Sequence, residues 1–535
     1  MTTPPRLVHH FLENSALRFP SKTAIIHGQK RLPYDQINRL SNQLAHCLIK
    51  AGVGPGDRVA LLCESSAEYV SCFYGILKAG AVAVPINVEL KPDSLAGLLD
   101  TLDAEILIAS SRFELTVRPF DPSRFRLQRI LVIHPATDSP GLSGPFKSLD
   151  DELPYQPDGD PDLDIRPDSC AAIIFTSGSE GKPKGVMLSH INLVENTKAI
   201  VESLTLTADD VQMVVLPFYY VMGMSLLNTH FSVGGTLVIN NQFAYTAAVL
   251  KQMAEERVTG FSGVPSTYAH LLFKAPLARY RDRLPALRYC SQAGGHMPQF
   301  FKLELLKVLP PQTRLIVMYG ATEASARLTV LPPESLKAKI DSIGRPIAGV
   351  TLDVLSPEGQ ALRAGQVGEL VARGKNIMLG YYRDDAATRR VLDRQGYHTG
   401  DLGYYDEDGF YYVTGRKDDQ VKIDGRRVNP REIEDVILES GQAMECLIFA
   451  VPDAYGGQKL AGLAVPVGDA SDTAERVVEY CRGRLPKYQV PRPLLLVDEL
   501  PKNSNGKLDR IAARRLFEER LRRGGDKGSV GIRKC

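Results

Sequence analysis

The sequence predicts an α/β protein with more than one sheet. Three observations carry that prediction: the length, an alternation of helical and strand-like apolar patterns up to Val317, and a change of texture after Ile343. At 535 residues the chain exceeds what one simple core supports, so two or more domains are expected. Residues 9–19 and 34–52 space their apolar side chains helically, 58–63 reads as a buried strand, and 66–80 reads as a helix. Strands follow at 81–86, 106–109 and 130–133. That alternation is the pattern of a sheet covered by helices. The stretch 140–167, rich in Pro, Asp and Gly, reads as a surface connector. Alternation resumes with strands near 214–216, 236–239, 260–263 and 314–318, which predicts a second sheet-containing lobe. The later runs 352–355, 369–372 and 410–414, separated by Gly and Asp turns, fit a β-barrel-like subdomain. A helix at 430–439, a strand at 444–451 and a helix at 474–484 make a small C-terminal α+β domain, whereas 524–535 offers nothing to pack and reads as disordered. The expected division is 1–417, 418–523 and a tail, 524–535.

Composition narrows the function by exclusion. Basic and acidic residues number 64 and 62, so no overall field points to nucleic acid or to an anionic membrane. The eight cysteines are scattered without C-x-x-C or His/Cys spacing for a metal, which suits a reducing cytoplasm. The amino terminus lacks the apolar centre of a signal peptide. The most apolar window, 213–227, carries Pro217 and Gly223 and falls short of the ~20 residues of a membrane span. It reads as a buried strand and loop. The sequence leaves a homodimer open.

The most informative segment is Thr176-Ser177-Gly178-Ser179-Glu180-Gly181-Lys182-Pro183-Lys184-Gly185. An apolar run, 171–175, leads into it, and Ser189 precedes a helical pattern at 190–204, so the order reads strand, loop, helix. Glycines let backbone N–H groups close on an anion, hydroxyls add donors, and lysines add charge, which is the chemistry of a phosphate nest. The spacing excludes the ordinary G-x-x-x-x-G-K-[ST] loop, because Pro183 stands five residues after Gly178.

Four further motifs follow in order: Tyr319-Gly320-Ala321-Thr322-Glu323, Thr399-Gly400-Asp401, Gly415-Arg416, and Pro501-Lys502-Asn503-Ser504-Asn505-Gly506-Lys507. With the glycine-rich loop, this series resembles the adenylate-forming superfamily of acyl- and aryl-CoA synthetases, peptide-synthetase adenylation domains and firefly-type luciferases. The resemblance spans roughly residues 10–515 and comes closest to the AMP-forming acyl-CoA synthetases. It implies that a carboxylate displaces pyrophosphate from ATP to give an acyl-adenylate, which a thiol then attacks. Catalysis of that kind rests on positioning and charge neutralisation.

By the same resemblance, Thr176, Ser177, Gly178, Ser179, Gly181 and Lys184 would hold the β- and γ-phosphates, and Thr322 would touch the α-phosphate. Glu323 would bind Mg²⁺ through oxygen. Gly294, Gly295 and His296 would lie against adenine, near Tyr319 and Gly320, and Asp401 and Arg416 would hold the ribose. Lys507 would bridge the substrate carboxylate and the α-phosphate. The small domain would turn about Asp418 and present Lys422 and Gly425 to a pantetheine arm. The implied cofactors are ATP, Mg²⁺ and CoA, or the phosphopantetheine of an acyl carrier protein.

The acid pocket implied by the resemblance comprises Tyr220, Met222, Met224, Gly263, Val264, Gly320 and Ala321. Tyr220 stands where many CoA ligases have His, and Val221 stands where amino-acid-activating relatives place Asp. Without that carboxylate a buried ammonium is costly, so α-amino acids are disfavoured. The methionines and Val264 fit a fatty or aromatic acid, with an aliphatic chain preferred. The expected activity is therefore acyl-CoA synthesis. Loading of a carrier protein is the alternative, followed by an aryl-acid ligase and a non-catalytic nucleotide-binding module.

Overall fold

In the computed structural model of this protein, residues 4–119, 126–135, 144–176, 183–423, 426–453, 457–468, 472–503 and 507–526 are described. Two large sheets dominate them. The first has eight strands in the order Gly380–Tyr381, Lys184–Ser189, Cys170–Thr176, Val82–Pro85, Arg58–Leu62, Ile106–Ser110, Arg129–Ile133 and Phe146–Ser148. From Cys170–Thr176 onward the neighbours run parallel. The strands Val82–Pro85 and Ile106–Ser110 are buried throughout, as continuous apolar runs become when helices cover both faces. One covering helix, Ala67–Lys78, starts where the Ser66 hydroxyl accepts from the Tyr69 amide and is buried along its whole length. Its Lys78 ammonium is buried too, and pairs with Glu13 at 2.8 Å and with Asp160.

Asp160 belongs to the stretch read as a connector. Its pairing ties that stretch to the core, and Phe146–Ser148 adds an edge strand.

The second sheet has nine strands: Arg345–Pro346, Thr329–Leu331, Arg314–Tyr319, Tyr289–Gln292, Gly260–Gly263, Val211–Val214, Thr236–Ile239, Thr23–His27 and Lys30–Pro33. Its last two strands come from the amino terminus, which the sequence assigned to the first lobe. Thr23–His27 runs parallel to Thr236–Ile239 across this long separation. Tyr34, Tyr74 and Phe231 share one core, with Tyr74 stacked on Phe231 at a centroid distance of 5.5 Å and Tyr34 edge-on to Phe231.

Two local expectations are corrected. A strand stands between the glycine-rich segment and the helix: Lys184–Ser189 pairs antiparallel with Cys170–Thr176, and residues 177–182 between them lie outside the described residues. Ser189 does cap the helix His190–Leu204, in a reciprocal box with Asn192. The apolar window 213–227 ends in a helix, Val221–Val233, and not in a loop. Gly223 misled because it reads as a breaker. Here it permits close packing, since a Cβ would lie 2.0 Å from the Pro217 carbonyl oxygen.

The barrel-like subdomain is a five-stranded antiparallel sheet built from Val350–Leu355, Gly368–Gly374, Gly396–Tyr405, Leu392–Asp393 and Tyr411–Arg416. Beyond it come a hairpin, Val421–Ile423 with Arg426–Val428, and a three-stranded sheet, Ala443–Pro452, Gln458–Pro466 and Leu494–Leu496. The last helix, Arg510–Asp526, extends into the first residues of the expected tail, and 527–535 lie outside the described residues. Among the described residues no helix is long and apolar enough to cross a membrane.

Candidate active site

Four parallel strands of the second sheet end at one cleft. After Val211–Val214 comes Tyr220, after Gly260–Gly263 comes Val264, after Tyr289–Gln292 come Gly294 to His296, and after Arg314–Tyr319 come Gly320 to Glu323. Ligands of open α/β sheets bind at such carboxyl ends, where chain leaving the ladder has unpaired backbone groups.

The first sheet closes one side. Thr176 and Lys184 face each other at the base of the hairpin, and the Thr176 hydroxyl donates 3.4 Å to the Lys184 carbonyl. Ser177, Gly178, Ser179 and Gly181 lie outside the described residues. The Lys184 ammonium stands 5.3 Å from the Tyr381 ring centroid, and the Tyr381 hydroxyl donates 2.8 Å to Glu323. A cation and a carboxylate thus meet through one tyrosine, leaving the other Glu323 oxygen as a hard ligand suited to Mg²⁺.

At the opposite end, the Tyr319 hydroxyl donates 2.6 Å to Asp401, and Arg416 Nε lies 3.5 Å from the same carboxylate. Burial pushes the Asp401 carboxyl above its usual range, against the pull of Arg416. Asp401 can accept from two vicinal hydroxyls while Arg416 donates beside it. Gly400, at φ 74°, brings the chain close to Arg416: a Cβ there would lie 3.1 Å from its Nη2.

Lys507 reaches the cleft from the carboxyl-terminal segment. The segment folds back on itself, with the Lys507 amide donating to Asn503 Oδ1 at 3.1 Å and the Asn503 amide donating to the Lys507 carbonyl at 2.8 Å. Its ammonium stands 5.8 Å from the Tyr220 ring centroid. Gly294, at φ 85°, leaves the necessary space. A Cβ there would lie 3.0 Å from the Tyr220 hydroxyl, 3.1 Å from Val264 Cγ1 and 3.5 Å from Lys507 Cε. Tyr220, Met222, Met224, Gly263 and Val264 are all buried, Thr322 is buried, and Gly320 and Ala321 are half-buried in the wall beside them.

The remaining expected residues fall into separate groups. His296 Nε2 donates 2.8 Å to the Asp435 carboxylate of the helix Pro430–Glu439, which joins the cleft to the carboxyl-terminal part. Asp418 and Lys422 are exposed, and among the described residues no hydrogen bond or ion pair joins Lys422 to the cleft. Gly425 lies outside the described residues. Sequence reading missed Tyr381, Asp435 and Arg327. Tyr381 belongs to a two-residue strand, too short to show a period, and Arg327 sits only four residues beyond Glu323, where its charge was the available signal.

A family model for the AMP-binding enzymes matches residues 12–382, and one for their C-terminal domain matches 432–507. The chain belongs to the AMP-binding enzymes. Among its relatives, a feruloyl-CoA synthase of Amycolatopsis sp is 31% identical over 93% of this chain and 96% of its own length. A medium-chain fatty-acid–CoA ligase of Escherichia coli is 29% identical over 96% of this chain and 90% of its own. The solved structure of the anthranilate CoA ligase AuaEII with anthranoyl-AMP superposes with a TM-score of 0.86 at 25% identity, covering 95% of this chain and 97% of that one. This AMP-binding enzyme is an AMP-forming acid–CoA ligase of the adenylate-forming superfamily, and its cofactors are ATP and CoA.

Proposed function

We propose that the enzyme activates an acid with an aliphatic body, first as an acyl-adenylate and then as the CoA thioester, in the cytoplasm. The observation that carries this reading is the position of Lys507, a cation set against Tyr220 and Gly294 at a cleft whose far end holds the Asp401 carboxylate with Tyr319 and Arg416. A carboxylate and a triphosphate repel each other, and a cation that touches both offsets the repulsion where the new bond forms. Lys507 holds that position. Thr176, Ser177, Gly178, Ser179, Gly181 and Lys184 take the outer phosphates, Thr322 the α-phosphate, and Glu323 the magnesium, which supplies charge neutralisation. Gly294, Gly295, His296, Tyr319 and Gly320 flank the adenine, with Asp401 and Arg416 on the ribose.

Residues 1–417 form the domain that binds ATP and the acid. Residues 418–523 turn about Asp418, withdrawing Lys507 and presenting Lys422 and Gly425 to the thiol arm. The exposure of Asp418 and the absence of Lys422 from the cleft support two uses of one small domain. The buried wall of Tyr220, Val221, Met222, Met224 and Val264 supports an apolar acid and disfavours an α-ammonium group.

The test is to incubate the protein with ATP, Mg²⁺ and a panel of fatty, aromatic and amino acids, with and without CoA, and to identify products by mass spectrometry. Aliphatic acyl-CoA should dominate. If α-amino acids were the best substrates, the pocket reading would be lost. An adenylate that CoA cannot discharge, but a phosphopantetheinylated carrier protein can, would move the acceptor from CoA to the carrier.

A further inference from the structure

Next to Gly320, in the turn that follows Glu323, the chain buries one charge that the chemistry above does not use. Arg327 is 3% exposed. Among the described residues no carboxylate pairs with it. Its Nε has no hydrogen-bond partner, and Nη1 donates 3.2 Å to the adjacent Ala326 carbonyl. The one titratable neighbour whose charge reaches it there is the phenol of Tyr220. Burial alone brings the guanidinium down to about 10, still charged at neutral pH. A buried cation without a counter-ion is among the costliest arrangements a fold can hold.

The chain nonetheless holds this residue in place with care. The Arg327 amide donates 3.2 Å to Asn196 Oδ1, and the Arg327 carbonyl accepts from Asn196 Nδ2 at 2.8 Å and from Asn376 Nδ2 at 3.2 Å. Both asparagines are buried. The two preceding residues, Ser325 and Ala326, have φ of 57° and 115°, a conformation that side chains other than glycine adopt only at a cost. Gly320 packs directly against this turn, where a Cβ would lie 2.7 Å from Arg327 Cα. The Arg327 backbone therefore stands beside Gly320, and its guanidinium lies within electrostatic reach of Tyr220, the residue that Lys507 approaches. Tyr220 is the neighbour it shares with Lys507.

We propose that Arg327 anchors a second carboxylate on the substrate, so that the preferred acid is an aliphatic dicarboxylic acid whose reacting carboxylate meets Lys507 and whose other carboxylate meets Arg327. This rests on the ligase reading above and narrows its substrate. The reacting carboxylate already has its cation. The planar guanidinium presents paired donors that match a carboxylate, and the buried site makes each such bond stronger than it would be in water. A monocarboxylic acid of the same length would leave Arg327 buried and unpaired, the kind of loss by which a polar site rejects an analogue lacking the matching group.

The test measures acid-dependent pyrophosphate exchange with straight-chain monocarboxylic acids and their α,ω-dicarboxylic counterparts, short to long, on the wild-type enzyme, Arg327→Met and Arg327→Lys. ATP binding serves as the check of folding. Wild type should favour the diacid of the best length by roughly 10- to 100-fold in kcat/KM. Arg327→Met should erase that preference while leaving the monoacid's kcat/KM unchanged or raised, and Arg327→Lys should retain part of it. A wild-type preference for monoacids overturns the proposal. So does an equal loss on both acid series in Arg327→Met or Arg327→Lys, which would place Arg327 on the reacting carboxylate. Exchange with no acid in either series would overturn the ligase reading itself, and this inference with it.

Discussion

The two ends of the cleft are built on opposite plans. At the proposed ribose end, Asp401 already has Tyr319 at 2.6 Å and Arg416 at 3.5 Å, so its charge is answered before any nucleotide arrives. At the proposed acid end, Lys507 stands beside Tyr220 and Arg327 is buried with its Nε unpaired, and neither cation has a carboxylate partner among the described residues. The difference teaches where ligand charge is needed. On the proposed assignment one end is preorganised to recognise neutral hydroxyls, whereas the other is completed only by an anion, and electrostatic discrimination belongs there.

Removing Lys507 should break the comparison hardest. Lys507→Ala is expected to slow adenylate formation by ~10²- to 10³-fold, about 3–4 kcal/mol, while a preformed acyl-adenylate still reacts with CoA. Equal damage to both half-reactions would deny it a role confined to the acid end. At the ribose end, Asp401→Asn should raise the KM for ATP, with a cost of about 1.5–3 kcal/mol for a charged hydrogen bond, and leave the KM for the acid alone. Titrating each substrate at saturating levels of the other separates the two.

Arg327→Met tests the same contrast through stability. Replacing a buried, unpaired cation by an apolar side chain should stabilise the ligand-free enzyme by about 1–3 kcal/mol, read as a higher melting temperature. The corresponding change at Asp401 should not stabilise to that degree, because its partners are in place. Tyr381→Phe removes the hydroxyl that donates to Glu323. It should cost about 0.5–1.5 kcal/mol, seen as a higher Mg²⁺ requirement with the acid preference unchanged.

The smallest effect concerns pH at the junction with the small domain. Burial, with Arg431 and Lys302 nearby, holds His296 below its ordinary value of 6.5 even though Asp435 opposes the shift. A His whose pKa is depressed in the packed state gives its full contribution above 6.5 and loses it as pH falls below that value. Pyrophosphate exchange should therefore weaken on acidification below 6.5, and His296→Gln should flatten that part of the profile.

How much of this was legible in the sequence follows from how local each feature is. Strand and helix alternation, the nucleotide motifs and Lys507 were readable because each is a short pattern with its own chemistry. The helix Val221–Val233 was not, since Pro217 and Gly223 look like breakers until Gly223 is seen to pack against the Pro217 carbonyl. Lys184–Ser189 was hidden because its first residues, Lys and Gly, resemble loop, and its pairing with Cys170–Thr176 is a tertiary fact. Arg327 and Asp435 carried no motif. Their meaning depends on which distant groups they meet, or fail to meet.

The carboxyl-terminal part rests on more than polar contacts. Phe301 and Leu305 of Gln299–Val308 share one buried apolar cluster with Ile433 and Ile437 of Pro430–Glu439. The proposed swing of that part would wet a greasy seam, a cost that favours the arrangement with Lys507 beside Tyr220. On the proposed two-step mechanism that seam sets the order of arrival by oil and water: a thiol that comes early would meet a closed door, and the adenylate would form before there is reason to open it.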